Sequence, residues 1–308
     1  MRARLIYNPT AGPRDLHGQL EGSVAWLRTK GWDVEWHDSD DPATATDLAR
    51  DAAQRNYDIV VAAGGDGTVG RVVNGLAHSD TALGVLPTGT GNVWALEMGI
   101  PAPGIFHPNA PLEAARILLA GETRLVDLGM AGSRYFLMWA GVGLDAQVTQ
   151  ELDPAQRKQF GNLAVWATGL RVARKYKGTQ AVIQVGDRTI AKRIVLVVLG
   201  NNQLYGGIVR ITAMARVDDG LLDVCVLKGK GFPSILNHLA ALLVRTHLYN
   251  PEVEYYQGER VHIDAEIPLP VQADGDWIGT TPMDFRIAPK SLRVVLPPRA
   301  PTKLFMER

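Results

Sequence analysis

One cysteine in 308 residues, Cys225, excludes an internal disulfide. It sits in an apolar, strand-like run, so it reads as a small core residue, not a nucleophile, and it points to a reducing cytoplasm. Net charge is missing too. Thirty-two basic and 32 acidic side chains cancel, so no global field draws the chain to nucleic acid, and attraction to a membrane has to come from a local patch. No uninterrupted apolar stretch approaches the roughly 18 residues of a spanning helix. The basic-then-apolar start, Met1 to Pro9, carries an apolar stretch too short for a signal peptide. The seven histidines are scattered without metal-ligand spacing. What remains is an ordinary folded chain, 46% hydrophobic and 21% charged, expected in the cytoplasm and touching membranes at most peripherally.

The length suits two domains. From residue 1 to about 125, strand-like and helix-like segments alternate: strand Arg4–Tyr7, helix His17–Lys30, strand Asp33–Trp36, helix Thr44–Arg55, strand Ile59–Ala63, a glycine turn with a helix just past it, strand Leu83–Pro87, helix Leu112–Ala120. Such alternation predicts a doubly wound α/β layer with a largely parallel sheet. From 126 to 308 the strands are short, often β-branched and separated by Gly, Pro, Asn or Asp: Val126–Leu128, Arg134–Trp139, Ala181–Val185, Arg193–Leu199, Leu222–Leu227, Arg260–Asp264, Pro270–Ala273 and Leu292–Leu296. That punctuation predicts a mostly-β, sandwich-like second domain, interrupted by helices over 155–177 and 233–248, with a C-terminal tail that can return to the first domain.

Three glycine-bearing segments follow strands of the first domain: Asn8-Pro9-Thr10-Ala11-Gly12, Gly64-Gly65-Asp66-Gly67-Thr68 and Thr88-Gly89-Thr90-Gly91-Asn92. Any one alone reads equally well as a structural turn. Three at the same edge of a parallel sheet, where ligands bind, read as a phosphate cradle, because glycine removes side chains where backbone N–H groups must approach an anion.

This set resembles the diacylglycerol kinase catalytic domain family, which includes bacterial lipid kinases and sphingosine kinases within the wider NAD kinase superfamily. The resemblance continues through Val126-Asp127-Leu128-Gly129, Ala140-Gly141-Val142-Gly143-Leu144-Asp145, Gly200-Asn201-Asn202, Val217-Asp218-Asp219-Gly220-Leu221-Leu222-Asp223 and Asp274-Gly275-Asp276, nearly the whole chain in order. It implies ATP held between two domains, Mg2+ and a lipid hydroxyl as acceptor. By the same resemblance Asn8, Gly64, Gly65, Asp66, Gly67, Thr68, Gly89, Thr90, Asn92 and Asp127 serve the nucleotide. Asp66 acts through Mg2+, and Arg216, Asp219 and Leu221 form a structural metal loop. Asp276, helped by Asp274, is the base. Asp-Asp-Gly before an apolar run is also an ordinary β-turn, so the metal loop competes with turn chemistry.

Two positions depart from the family pattern. Asp276 stands where relatives carry Glu, which shortens the reach of the carboxylate by about 1.5 Å. Asn92 is followed by Val93-Trp94-Ala95 where many relatives have Asp-Phe-Ala, which bears on the lipid accepted. The leading expectation is an ATP- and Mg2+-dependent kinase for diacylglycerol or a related lipid such as a sphingoid base. The alternatives are a kinase for a soluble acceptor such as NAD, and a nucleotide- or lipid-binding module with an impaired base. Arg171, Arg174 and Lys175 at i, i+3, i+4, beyond Arg157-Lys158, read as a solvated helix face, with a patch for acidic headgroups as the functional alternative.

Overall fold

The computed structural model describes residues 1–12, 15–39, 41–153, 156 and 162–306, which form two compact units: Met1–Asp127 with Lys290–Arg308, and Leu128–Pro289. The first unit is built on β1 (Arg2–Tyr7), β2 (Asp33–Asp38), β3 (Ile59–Gly64) and β4 (Ala82–Pro87), all parallel, in the order β2-β1-β3-β4. Every residue of β3 and β4 is buried, as parallel strands covered on both faces require. Helices α1 (His17–Thr29), α2 (Pro42–Gln54), α3 (Asp66–Leu76), α4 (Val93–Met98) and α5 (Ala110–Ala120) connect or follow them. α1 packs on α5 and α2 on α3, the latter closely because position 75 is glycine: a Cβ there would lie 2.6 Å from that of Ala49. Asp41 starts α2 by accepting the Thr44 N–H at 3.0 Å. The strand order reverses direction between β1 and β3. At such a switch point, loops leaving the C-terminal strand ends diverge and open a ligand crevice.

The second unit is β-rich and antiparallel. Its strands are the end of β5 (Glu122–Ala131), β6 (Arg134–Phe136), β7 (Trp139–Gly143), β8 (Thr179–Val185), β9 (Arg188–Gly200), the small pair β10 (Leu204–Tyr205) and β11 (Val209–Arg210), β12 (Leu222–Lys228), β13 (Val253–Gly258), β14 (Arg260–Ala265), β15 (Pro270–Ala273), β16 (Asp276–Thr280) and the start of β17 (Met283–Leu296). β9 organises it: its first half forms a hairpin with β8, and its second half is flanked by β7 and β12. Helices α6 (Leu144–Glu151), α7 (Asn162–Lys175) and α8 (Gly231–Leu243) pack in sequence, α6 on α7 and α7 on α8. β17 ends in the first unit, where Val294 pairs in parallel with Leu83 of β4.

The α/β first unit and β-rich second unit are the fold class that the strand patterns predict. Several elements differ. The run Arg134–Trp139 is two strands, not one, and β13, β16, α4 and α6 are additions. Of the helix expected over 155–177, residues 155 and 157–161, with Arg157 and Lys158, lie outside the described residues. Among the described residues no helix is long and apolar enough to cross a membrane.

Candidate functional site

In the first unit the three segments converge. Asn8 closes the end of β1 by donating its backbone N–H to Ala63 O (3.0 Å), and its side-chain amide reaches Thr68 Oγ1 (3.3 Å). The Asn8 Oδ1 in turn accepts the Thr10 N–H (2.9 Å) and hydroxyl (2.8 Å). Thr88 N–H donates to Gly64 O at 3.0 Å. Asn92 sits in the left-handed region (φ 49°) and brackets Gly89, accepting its N–H at 3.0 Å and donating to its carbonyl at 2.7 Å. Asp66 ties the second segment to the third, its Oδ1 accepting the Trp94 N–H at 3.3 Å.

The glycines here have a different physical reason from the one the sequence suggests. A Cβ at Gly12 would stand 2.2 Å from the Thr88 carbonyl oxygen, and one at Gly89 would stand 2.3 Å from Gly65 Cα. These glycines let the loops touch one another. Gly67 differs: nothing lies within 4 Å of where its Cβ would be, so its backbone faces open space in the first turn of α3. The helix begins at Asp66, with Gly65 as its N-cap, three residues earlier than a helix starting past the whole turn. The N–H groups of its first turn, which have no partner within the helix, therefore belong to the Gly-Asp-Gly-Thr segment itself, where an anion meets the positive end of the helix dipole. Thr88 Oγ1 is buried without a partner and Thr90 is exposed. A polyanion fits this donor set. Asp127 has no exposed surface and accepts the Lys290 N–H at 2.6 Å, a placement that suits a carboxylate fastening β5 to β17 better than one touching a nucleotide.

In the second unit Asp274 and Gly275, both at positive φ (49° and 84°), form the two-residue turn between β15 and β16. This is the turn chemistry for which Asp-Gly is favoured. The Asp274 carboxylate accepts three backbone N–H groups, from Leu137 (2.7 Å), Met138 (2.9 Å) and Trp139 (3.1 Å). It is an anchor for the β6–β7 break. Asp276, at the start of β16, is partly exposed and pairs with Arg134 at 3.1 Å.

Next to this turn lies a carboxylate that motif reading quotes but gives no role. Asp145, in the first turn of α6, accepts the Tyr205 hydroxyl (2.6 Å) and the Gln272 amide (2.8 Å), while Gln272 Oε1 accepts the Gly275 N–H (2.8 Å). Burial pushes the Asp145 carboxyl above the usual carboxylate range, against the pull of those hydrogen bonds. Glycine at 141 makes room for it, since a Cβ there would lie 1.8 Å from Asp145 Oδ2. Asp145, Tyr205 and Gln272 line one part of a cavity of about 570 Å³ whose other walls are mostly apolar side chains, many of them from α6, α7 and α8. The signal that could have found this site is the polar Asp145 inside an apolar, glycine-rich run.

The loop 216–221 bends at Gly220 (φ 76°), and Asp219 Oδ1 accepts the Leu221 N–H at 3.1 Å. Asp223 just beyond is fully buried. Its Oδ1 accepts from Tyr255 (2.7 Å) and Gln257 (3.1 Å), and its Oδ2 has no partner. Burial, opposed by these bonds and reinforced by the Asp219 charge, pushes its carboxyl up to about 6. Two carboxylates, one of them with an orphaned buried oxygen, are the donors this bend offers a cation, and among the described residues no group of three or more His, Cys, Asp or Glu side chains is placed to hold one. Because the folded-state value is raised, the ionised form opposes folding. The stability contribution is intact at acid pH, falls as pH rises from the ordinary carboxylate value to about 6, and stays lost above. In chelator, Asp223→Asn should therefore gain stability over the parent at pH 8 by up to about 3 kcal/mol and gain nothing at pH 4, as read from denaturant midpoints.

Comparison with known proteins follows this division. The family model described as the diacylglycerol kinase catalytic domain matches residues 2–131, and that of the YegS C-terminal NAD kinase β sandwich-like domain matches residues 139–296. A diacylglycerol kinase of Bacillus subtilis is 29% identical over 298 residues, covering 96% of each chain. One from Staphylococcus aureus is 28% identical over 299 residues, covering 96% of this chain and 92% of its own. Two solved Bacillus anthracis structures share the fold. One has a TM-score of 0.81 at 25% identity, covering 96% of this chain and 95% of its own. The other, of a diacylglycerol kinase, has a TM-score of 0.72 at 22% identity, covering 96% and 97%.

Proposed function

Because the chain belongs to the diacylglycerol kinase catalytic domain family, with the NAD kinase β sandwich-like domain as its second half, we propose that it transfers the γ-phosphoryl group of ATP to a lipid hydroxyl, that of diacylglycerol or a related lipid such as a sphingoid base. The observation that carries the lipid half of this reading is the cavity of the second unit, large, mostly apolar and lined in one part by Asp145, Tyr205 and Gln272. A soluble dinucleotide has no use for such walls; an acyl chain does, and the polar end can hold the hydroxyl-bearing head by hydrogen bonds. The nucleotide half is supported by the loop cradle of the first unit. There the backbone N–H groups of Gly67 and Thr68 in the first turn of α3 and the Thr90 hydroxyl offer donors to a triphosphate, Asn8, Gly64, Gly65, Gly89 and Asn92 shape the loops that present them, and Asp66 offers one carboxylate.

Asp66 would hold a magnesium ion in the cradle, where it would supply charge neutralisation for such a transfer, while Asp219 with the Arg216 and Leu221 carbonyls would hold a separate, structural ion at the bend. Asp276 takes the proton of the attacking hydroxyl, and Arg134 holds its carboxylate in place. Asp274 positions the turn through its three backbone bonds. Asp276→Ala should lower kcat by roughly 10²–10⁴-fold, with ATP affinity unchanged by calorimetry. The reaction itself is tested with labelled ATP, Mg2+ and a panel of diacylglycerol, sphingosine and NAD, resolved by thin-layer chromatography. Label in a lipid product is expected; label in NADP, or in no product, contradicts the reading.

A further inference from the structure

The mouth of the lipid cavity is a surface that an isolated soluble domain would not leave bare. On α7, Leu163, Trp166 and Leu170 recur at i, i+3, i+7, so they share one face, and Leu163 is 74% exposed. α8 has no Asp, Glu, Lys or Arg, and its one histidine, His238, is buried against Lys228 O. Its Leu236 and Leu243 (55% exposed) lie on one face, continued by Val244 (69% exposed) just past its end. Trp166, Leu170 and Leu236 are at once exposed and part of the cavity wall, so the outer apolar face runs without a break into the interior.

The charge around that face is one-sided. Segments 162–177 and 228–250 contain seven Lys and Arg and no Asp or Glu, in a chain whose charges as a whole cancel. Two of the seven are engaged, Arg171 with Glu151 and Lys228 with Glu254. Arg174, Lys175, Lys177 and Arg245 are exposed, and Arg174 extends the Leu163–Trp166–Leu170 stripe by one more turn. Apolar side chains fringed by cations match a bilayer with anionic headgroups: the cations meet phosphates while the apolar tips enter the acyl boundary. A second copy of the chain would bring the same cations against each other, which disfavours self-association as the cover.

We propose that the α7–α8 face docks on an anionic phospholipid bilayer, opening the cavity directly into the acyl layer so that a lipid enters it from the membrane plane without crossing water. This rests on the lipid-kinase reading for the meaning of the cavity, and its test does not depend on turnover. Leu243→Glu with Val244→Glu alters two exposed positions outside the cavity wall. In flotation with phosphatidylcholine vesicles containing phosphatidylglycerol, the double variant should bind at least about tenfold more weakly than the parent. Pure phosphatidylcholine, or high salt, should weaken the parent. Turnover of vesicle-borne diacylglycerol should fall in parallel, while turnover of a short-chain diacylglycerol in monomeric solution should not change.

Ile105→Ser with Phe106→Ser, at the most exposed apolar pair of the first unit, should leave vesicle binding intact. Should the double variant fold poorly, the parent protein answers instead: brominated lipid should quench the fluorescence difference between it and Trp166→Phe. Undiminished flotation of the Leu243/Val244 variant, no quenching at Trp166, loss of binding through Ile105 and Phe106, or a dimer that this face closes would each overturn the proposal. Vesicle binding without any phosphotransfer would uphold it and remove the kinase reading instead.

Discussion

Asp66→Asn should abolish phosphotransfer, lowering turnover by roughly 10³-fold or more, while the melting temperature moves by only a few degrees. Asp66 is the single ionisable side chain in the segments 8–12, 64–68 and 88–92. It stands in the first turn of α3, where its Oδ2 lies close enough to Gly91 that a Cβ there would come within 2.8 Å. A carboxylate among donors arranged for a polyanion repels that anion unless a cation lies between them. Asparagine keeps the shape and still accepts the Trp94 N–H, so the loop stays as it is. The charge sign then makes a second, opposite expectation. Without Mg2+ the variant should bind ATP as well as the parent or better, and with Mg2+ it should bind more weakly. Calorimetry in the two conditions checks this. Equal loss in both would mean that Asp66 shapes the loop and does not act through a metal.

Gly169→Phe should cut kcat/KM for long-chain diacylglycerol by on the order of 100-fold, because the aromatic ring occupies the space an acyl chain needs. Gly169 lines the cavity from the interior of α7, and nothing lies within 4 Å of where its Cβ would be. The new side chain therefore meets no backbone, and removing glycine from a helix interior favours the helix by about 0.5 kcal/mol. Activity and stability should move in opposite directions, a combination that simple unfolding cannot produce. A short-chain substrate should retain most of its rate. If long-chain turnover is untouched in the variant, the cavity is not where the lipid goes.

The first unit is the part most legible in the sequence. β3 and β4 are short apolar runs that end in glycine or proline, and β1 closes on the apolar Leu5-Ile6-Tyr7 just before Asn8-Pro9; such segments need no distant partner to be recognised. The second unit is less so, and the reasons lie in particular long-range bonds. Arg134–Trp139 looks like one strand, but the N–H groups of Leu137, Met138 and Trp139 turn to the carboxylate of Asp274, more than 130 positions along the chain. β17 seems to start at Leu292 because Pro289 and Lys290 interrupt it. The strand nevertheless runs through from Met283, with the Lys290 N–H taken by Asp127.

The site divides in the same way. The loop residues 8–12, 64–68 and 88–92 carry their chemistry in adjacent letters. Asp145 acquires its environment from Tyr205 and Gln272, 60 and 127 positions away, so the apolar, glycine-rich run around it marks it as unusual without showing that it lines a cavity. Asp274 shows the converse. Its letters suggest a base, and its three backbone bonds make it an anchor, which leaves Asp276 as the carboxylate with surface to offer.

Hydrogen exchange on the full chain, with and without Mg-ATP, asks most directly whether three bends at one rim of the first sheet grip a triphosphate. Slowed exchange of backbone amides within 8–12, 64–68 and 88–92, absent for Asp66→Asn in Mg2+, is the predicted pattern. Unchanged exchange there, with protection confined to other segments, would contradict it.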